Sequence, residues 1–139
     1  MTQQTTPRSL AWVSFLFPVA LISLDQLSKL VMRMFFPESV VCNAAGPWGI
    51  SLAPSFLIIF SLVILMCLAI GQWRQKLVER GFVWLFAGGI SNLIDRIFLG
   101  CVTDFIHIFS FPVFNLADIY LTLGVVFLVL FLWSGERNK

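Results

Sequence analysis

Four long apolar stretches dominate this chain of 139 residues, at 11–32, 52–70, 82–99 and 113–133. Each is close to the roughly 20 residues that an α-helix needs to cross a bilayer. Only 12% of the residues are charged, against about 25% in ordinary soluble domains. We therefore predict a single all-α membrane domain over 1–139, with four transmembrane helices. The composition excludes a large extramembrane domain, a nucleic-acid-binding surface and a disulfide scaffold.

The basic residues predict the orientation of these helices. The two tails and the connection 71–81 hold six lysines and arginines, whereas the connections 33–51 and 100–112 hold only Arg33. By the positive-inside rule, both termini and the connection 71–81 face the cytoplasm. The two longer connections then face outward. The first stretch is interpreted as a permanent span rather than a cleaved signal, because Asp25 and Lys29 interrupt it and no small-x-small site follows.

The outer connections carry a candidate strand and two cysteines. Segment 38–43 (ESVVCN) is rich in strand-forming residues and predicts a short β-like cradle segment on the outer face. Cys42 and Cys101 both fall on that side, so a bridge between them is possible, although sequence alone cannot test its geometry. Cys67 is interpreted as a small core residue of the second span. The cysteine spacing does not match a metal site, and no cofactor is expected.

Ionisable residues inside the spans fall in one layer. At about 1.5 Å per residue, Asp25, Asp95 and Asp118 lie roughly 6–10 Å from the outer ends of their helices. Asp104 lies in the outer connection itself. An unpaired charge in lipid costs at least about 2.5 kcal/mol. Four acids in one layer, on helices that run in different directions, therefore indicate a shared polar site.

Two of these groups also have a structural interpretation. Asp25 and Lys29 are spaced i, i+4, and an intrahelical ion pair is favoured over contact with a substrate. Asn92 and Asp95 share a helix face, and Arg96 beside them is expected to neutralise the acid. A structural network and a binding role are equally compatible with that second group.

The acids near the fourth span are harder to explain structurally. Residues 115–118 (NLAD) fit a capping box that opens a helix, an interpretation as good as a catalytic one. His107 is a lone histidine among aromatic residues, more typical of an interfacial residue than of a nucleophile's partner. Asp104 has no lysine or arginine within four positions. If the turn 100–112 folds over the third and fourth spans, Asp104 approaches Asp118, and two such carboxylates can share a proton and perform acid–base catalysis.

Five segments resemble the motifs of the lipoprotein signal peptidase family, signal peptidase II. In the family's order they are DQLSK (25–29), a segment at 43–49, GGISNLIDR (88–96), VTDFI (102–106) and FNLAD (114–118). That family consists of four-span aspartic peptidases of the bacterial inner membrane. They remove the signal peptide of prolipoproteins, cleaving just before a cysteine that carries diacylglycerol.

The resemblance implies roles for particular residues. Asp104 and Asp118 would be the catalytic pair. The polar residues expected to face the substrate are Asn43, Asn92, Arg96 and Asn115, and those expected to support the site are Asp25, Lys29 and Asp95. The expected partners are a lipid-modified prolipoprotein, membrane lipid and globomycin-type inhibitors, with no nucleic acid, and the chain is expected to be a monomer.

The sequence departs from the family pattern in three places. The glycine of the 43–49 segment stands one position late, at Gly46, and Pro47 follows it. Ser91 stands where the family usually has glycine. The connection between Asp104 and Asp118 is short, with 13 residues. We expect activity to be retained, with altered affinity for the substrate's lipid or flanking residues.

Two other classes of function compete with the peptidase interpretation. A small four-span transporter could couple proton movement to a substrate through a membrane carboxylate, but such sites lie near the bilayer midplane. The acids here cluster toward one face. A non-catalytic scaffold would leave the concentration of Asp and Asn unexplained.

Overall fold

The computed structural model describes residues 8–45, 53–73 and 79–136. Within these ranges the chain forms four α-helices: α1 (Arg8–Phe35), α2 (Pro54–Trp73), α3 (Glu79–Leu99) and α4 (Leu116–Glu136). Two short strands, β1 (Val41–Asn43) and β2 (Val102–Asp104), follow α1 and α3. The protein is therefore mostly helical, with one small sheet. The expectations for positions 46–49 of the 43–49 segment, and for the basic residues at 74, 76, 137 and 139, lie outside the described residues.

The predicted spans coincide with the four helices, but some bounds differ. α1 continues to Phe35, and a 3-10 helical turn follows at Pro37–Ser39. The strand predicted over 38–43 therefore begins only at Val41, because proline favours the first position of a helical turn. α4 begins at Leu116 rather than at 113, since Phe114 forms a β-bridge with Ile106.

The hydropathy of the helices is uneven. Among the described residues, one helix is both long and apolar enough to cross a membrane, over Gly81–Leu99 with mean hydropathy 1.4. The apolar parts of α2 and α4 are shorter, at Ser55–Ile70 and Leu116–Phe131. The expectation of four spans in one domain thus stays a prediction.

The distribution of side chains is the reverse of a soluble protein's. Large apolar residues face outward on every helix, as Leu27, Ile59, Phe98 and Val129 do. Among the fully buried side chains, by contrast, are Asp25, Lys29, Asp95 and Asn115. Cys67, predicted to be a core residue, is exposed. That prediction is wrong because α2 packs along α3, and Cys67 lies on a face of α2 that points outward.

α3 is the central helix, and it packs against α1, α2 and α4. Two glycines allow α3 and α4 to approach closely. A Cβ added at Gly88 would lie 2.5 Å from the carbonyl oxygen of Ala117, and one at Gly124 would lie 2.6 Å from Cγ of Leu85. Small residues in a helix interface permit such close approach. The close approach brings the start of α4 against the polar face of α3.

The two strands are joined both by hydrogen bonds and covalently. They are antiparallel, with Val41 opposite Asp104, Cys42 opposite Thr103 and Asn43 opposite Val102. Cys42 and Cys101 form a disulfide across a Cα–Cα distance of 5.5 Å. The sheet therefore ties the chain after α1 to the chain after α3.

Candidate active site

Asp25, Lys29 and Asp95 form a buried ion-pair cluster between α1 and α3. The Lys29 ammonium lies 2.7 Å from Asp25 Oδ2 and 3.2 Å from Asp95 Oδ2. None of the three side chains is more than 1% exposed. The predicted Asp25–Lys29 pair is confirmed, and Asp95 joins it from the neighbouring helix.

Neutral donors complete the hydrogen bonding of the two carboxylates in this cluster. Asp25 accepts hydrogen bonds from Ser91 Oγ at 2.6 Å and from the backbone N–H of Ala117 at 2.9 Å. Asp95 accepts bonds from the backbone N–H of Thr103 at 2.9 Å and from Gln26 Nε2 at 3.0 Å. The cluster thereby connects α1, α3, β2 and the start of α4.

Asp104 lies at the end of β2 and is contacted by amides. Asn43 Nδ2 donates to its Oδ2 at 2.9 Å, and Asn115 Nδ2 donates to its Oδ1 at 2.6 Å. Its side chain is almost fully buried, as that of Asn115 is. The sheet supplies one of these donors and the start of α4 supplies the other.

Asp118 lies in the first turn of α4, where the predicted capping box is confirmed. Asn115 Oδ1 accepts the backbone N–H of Asp118 at 3.0 Å, and Asp118 Oδ2 accepts the backbone N–H of Asn115 at 3.2 Å. Asn92 Nδ2 donates to the other oxygen, Oδ1, at 2.9 Å. Asn115 therefore bonds both Asp118 and Asp104, and we call these two acids the aspartate pair.

Asn92 links the aspartate pair to the buried ion-pair cluster. Its Oδ1 accepts a hydrogen bond from Lys29 Nζ at 3.0 Å and one from Asn115 Nδ2 at 3.2 Å. Because an ammonium can only donate, it fixes which end of the Asn92 amide faces it. The Nδ2 end must then face Asp118. Lys29 thus orients the amide that bonds one member of the aspartate pair.

Arg96 does not have the contact that the sequence predicts. Asp95 pairs with Lys29 across the helix interface, whereas the Arg96 Nε is buried with no hydrogen-bond partner among the described residues. Adjacent helical residues point about 100° apart, so Arg96 is directed away from Asp95. Its charge still interacts at longer range with Asp118, Asp104 and Asp95.

The surroundings of Asp104 favour its protonated form. Burial is the largest cause and raises the pKa of the carboxyl above its ordinary value. The charge of Asp118 acts in the same direction, while the hydrogen bonds from Asn43 and Asn115 oppose it. A carboxyl in this setting is protonated more readily than a free one, which suits acid–base catalysis.

His107 contacts the backbone near the sheet. Its Nε2 lies 2.8 Å from the carbonyl oxygen of Ser39. Across residues 8–45, 53–73 and 79–136, no group of three or more His, Cys, Asp or Glu side chains could hold a metal ion.

Sequence reasoning missed several contributors to the site. Gln26 donates to the Ser91 carbonyl, to Ser91 Oγ and to Asp95. Arg33 donates to Thr103 Oγ1 at 2.7 Å. Lys29 lies three residues after Gln26 and four before Arg33, and this helical spacing of polar residues along α1 is the signal that could have found them.

Comparison with known proteins gives consistent results. The family model for signal peptidase (SPase) II matches residues 17–134. A lipoprotein signal peptidase of Syntrophomonas wolfei is 37% identical over 146 residues, covering 92% of this chain and 96% of that protein. Another from Streptococcus agalactiae is 32% identical, covering 86% and 91%. A bacterial membrane enzyme solved at 2.3 Å resolution superposes with a TM-score of 0.83 at 28% identity, over 92% of each chain.

Proposed function

Because the chain belongs to the signal peptidase II family, we propose that it is a membrane aspartic endopeptidase whose catalytic groups are Asp104 and Asp118. Its substrate is a prolipoprotein already modified with diacylglycerol, and it cleaves just before the modified cysteine. The observation that carries this proposal is that Asn115 bonds both carboxylates, while among the described residues amides, rather than a salt-bridged cation, contact each of them.

The reaction needs one member of the aspartate pair to be ionised and the other protonated. The ionised carboxylate takes a proton from water, and the resulting hydroxide attacks the peptide carbonyl. The protonated carboxyl hydrogen-bonds the carbonyl oxygen as negative charge develops there. The tetrahedral intermediate then collapses, the C–N bond breaks, and the amine leaves with a proton from the pair.

The three asparagines contribute by holding the carboxylates. Asn43, Asn92 and Asn115 each donate a side-chain N–H to Asp104 or Asp118. We assign Asn43 and Arg96, both half-buried, the additional role of contacting the substrate backbone. Asp25, Lys29 and Asp95 support the site through the hydrogen bond between Lys29 and Asn92.

The proposed orientation is that of a bacterial inner-membrane protein with four spans and both termini in the cytoplasm. The distribution of basic residues supports this orientation. The Cys42–Cys101 disulfide supports it independently, since structural disulfides persist on the oxidising side of the membrane. The aspartate pair, close to these cysteines, then lies near the outer face, where a lipid-anchored substrate can enter sideways from the bilayer.

A cleavage assay tests the function directly. Purified full-length protein is incubated in lipid with a diacylglyceryl-modified prolipoprotein, with and without globomycin, and the product is sized and its new N-terminus determined. We expect a modified cysteine at the new N-terminus, inhibition by globomycin and activity from a monomer. An intact substrate would reject the proposal, and proton-coupled uptake into vesicles would favour the transporter instead.

A further inference from the structure

The disulfide lies beside the aspartate pair. Cys42 precedes Asn43, whose side chain donates to Asp104, and Cys101 lies three residues before Asp104. The two strands have only three residues each. A two-stranded sheet of this size is at best marginally stable by itself. Its register therefore depends on other contacts.

The register places two diagonal pairs on opposite faces of the sheet. Side chains alternate between faces along a strand, and Asn43 is opposite Val102. Asn43 and Asp104 are therefore diagonal neighbours on one face, within reach of each other's side chains. Cys42, opposite Thr103, and Cys101, two residues earlier, are the diagonal pair on the other face. The covalent bond and the Asn43–Asp104 hydrogen bond thus lie on opposite faces of the same strand pair.

A change in this register would remove Asn43 from Asp104. Shifting one strand by a single residue turns each of its side chains to the opposite face. The Asn43 side chain would then point away from the face of β2 that carries Asp104. The hydrogen bond between His107 and the Ser39 carbonyl also holds the chain before β1, but it lies outside the strand pair and does not set its register.

The disulfide is accessible to a reductant, because Cys42 is exposed. A dithiol that attacks one sulfur forms a mixed disulfide and then closes into its own cyclic disulfide. Two electrons and two protons pass to Cys42 and Cys101, which become thiols. The cytoplasm keeps thiols reduced, whereas the outer side of the membrane is oxidising.

We propose that the Cys42–Cys101 disulfide is a positioning element for Asp104, which makes full peptidase activity depend on its oxidised state. It fixes the strand register that sets the Asn43 amide against Asp104. This inference rests on the proposed catalytic role of Asp104.

A double-mutant cycle tests the coupling. The cleavage rate is measured for Cys42→Ser/Cys101→Ser, for Asn43→Ala and for the two combined, with Cys67→Ser as the control on α2. We expect kcat to fall about tenfold in each of the first two, as for the loss of one hydrogen bond to a charged group. KM should change in the cysteine-pair variant no more than it does in Asn43→Ala, and the combined variant should lose no more kcat than either. Additive losses in kcat, or a change in KM that the cysteine-pair variant shows and Asn43→Ala does not, would overturn the proposal.

Reduction provides a second measurement on the same proteins. Dithiothreitol should lower the wild-type rate to that of the Cys42→Ser/Cys101→Ser variant and leave the variant itself unaffected. A wild-type enzyme whose bond is reduced and whose kcat is unchanged would contradict the inference. The Asp104→Asn variant distinguishes a failure of this inference from a failure of the proposed peptidase function. If that variant is inactive while the cysteine-pair variant has wild-type activity, only the disulfide's role is rejected; an active Asp104→Asn enzyme rejects both.

Discussion

Four aspartates of this protein lie in one polar layer but in two different settings. In the buried ion-pair cluster, Asp25 and Asp95 share the ammonium of Lys29. In the aspartate pair, Asp104 and Asp118 are contacted by asparagine side chains and by a backbone N–H. The same side chain thus meets a cation in one place and neutral donors in the other.

The difference separates ion pairing from hydrogen bonding to neutral groups. Sharing the Lys29 ammonium suits Asp25 and Asp95 to hold α1 and α3 together. Amides bond a carboxylate without adding a full positive charge, and burial then raises the pKa of Asp104. The aspartate pair is therefore the part of the layer where protonation can change during a reaction.

Removing a carboxyl from the aspartate pair gives the largest expected effect. Asp104→Asn or Asp118→Asn should lower the cleavage rate by about 10²-fold to 10⁴-fold or more. General acid–base catalysis contributes a factor in this range. The protein should still insert and fold, as checked by circular dichroism and gel filtration. Glu38→Gln, which removes an exposed acid near the same sheet, is the matched control and should retain activity. A wild-type cleavage rate in either aspartate variant would show that the assignment is wrong.

Breaking the buried ion-pair cluster should affect stability instead. Lys29→Met leaves two buried carboxylates without their cation, and removing one partner of a buried pair costs about 3–5 kcal/mol. Thermal unfolding in detergent measures the loss. Arg33→Met is the control, since Arg33 is half-buried and donates to the neutral Thr103. A Lys29→Met protein that is as stable as wild type but inactive would place Lys29 with the catalytic group.

The packing of α3 on α4 connects the two settings. Gly88→Ala forces a Cβ to within 2.5 Å of the Ala117 carbonyl oxygen unless the helices separate. Overpacking of this kind costs about 1–3 kcal/mol. The Ala117 N–H bonds Asp25, and the residue after Ala117 is Asp118. Separating the helices should therefore lower both the stability and kcat. In Gly89→Ala the added Cβ meets only the end of the Leu65 side chain, at 3.0 Å, so a larger loss there would contradict this explanation.

The smallest predicted effect is a shift in pH dependence. Asn43 donates to Asp104 and lowers the pKa of that carboxyl. Asn43→Ala removes this contribution, so the pKa rises and the limb of the pH–rate profile that Asp104 governs moves to higher pH. The profile of kcat/KM against pH measures it. A shift toward lower pH would mean that Asn43 does not act on the ionised form.

Local spacing predicted part of the site, and long-range packing decided the rest. The Asp25–Lys29 pair and the Asn115–Asp118 cap follow from helical periodicity, and both are confirmed. The partner of Asp95 could not be read in this way, because Arg96 is adjacent in sequence while Lys29 arrives from another helix. The disulfide and β2 likewise depend on how the chain after α3 meets β1. Sequence placed the four acids in one layer but could not divide them into two settings.

The backbone N–H of Ala117 that bonds Asp25 has a consequence for the biogenesis of this protein. The i, i+4 spacing allows Asp25 and Lys29 to pair before any other helix is made, so these two charges can offset each other within α1 alone. α3 then adds Asp95 and Asn92, and the start of α4, synthesised after both, brings Ala117, Asn115 and Asp118 together. A later segment thus completes the hydrogen bonds of an earlier one. The aspartate pair can assemble only after α4 has been made.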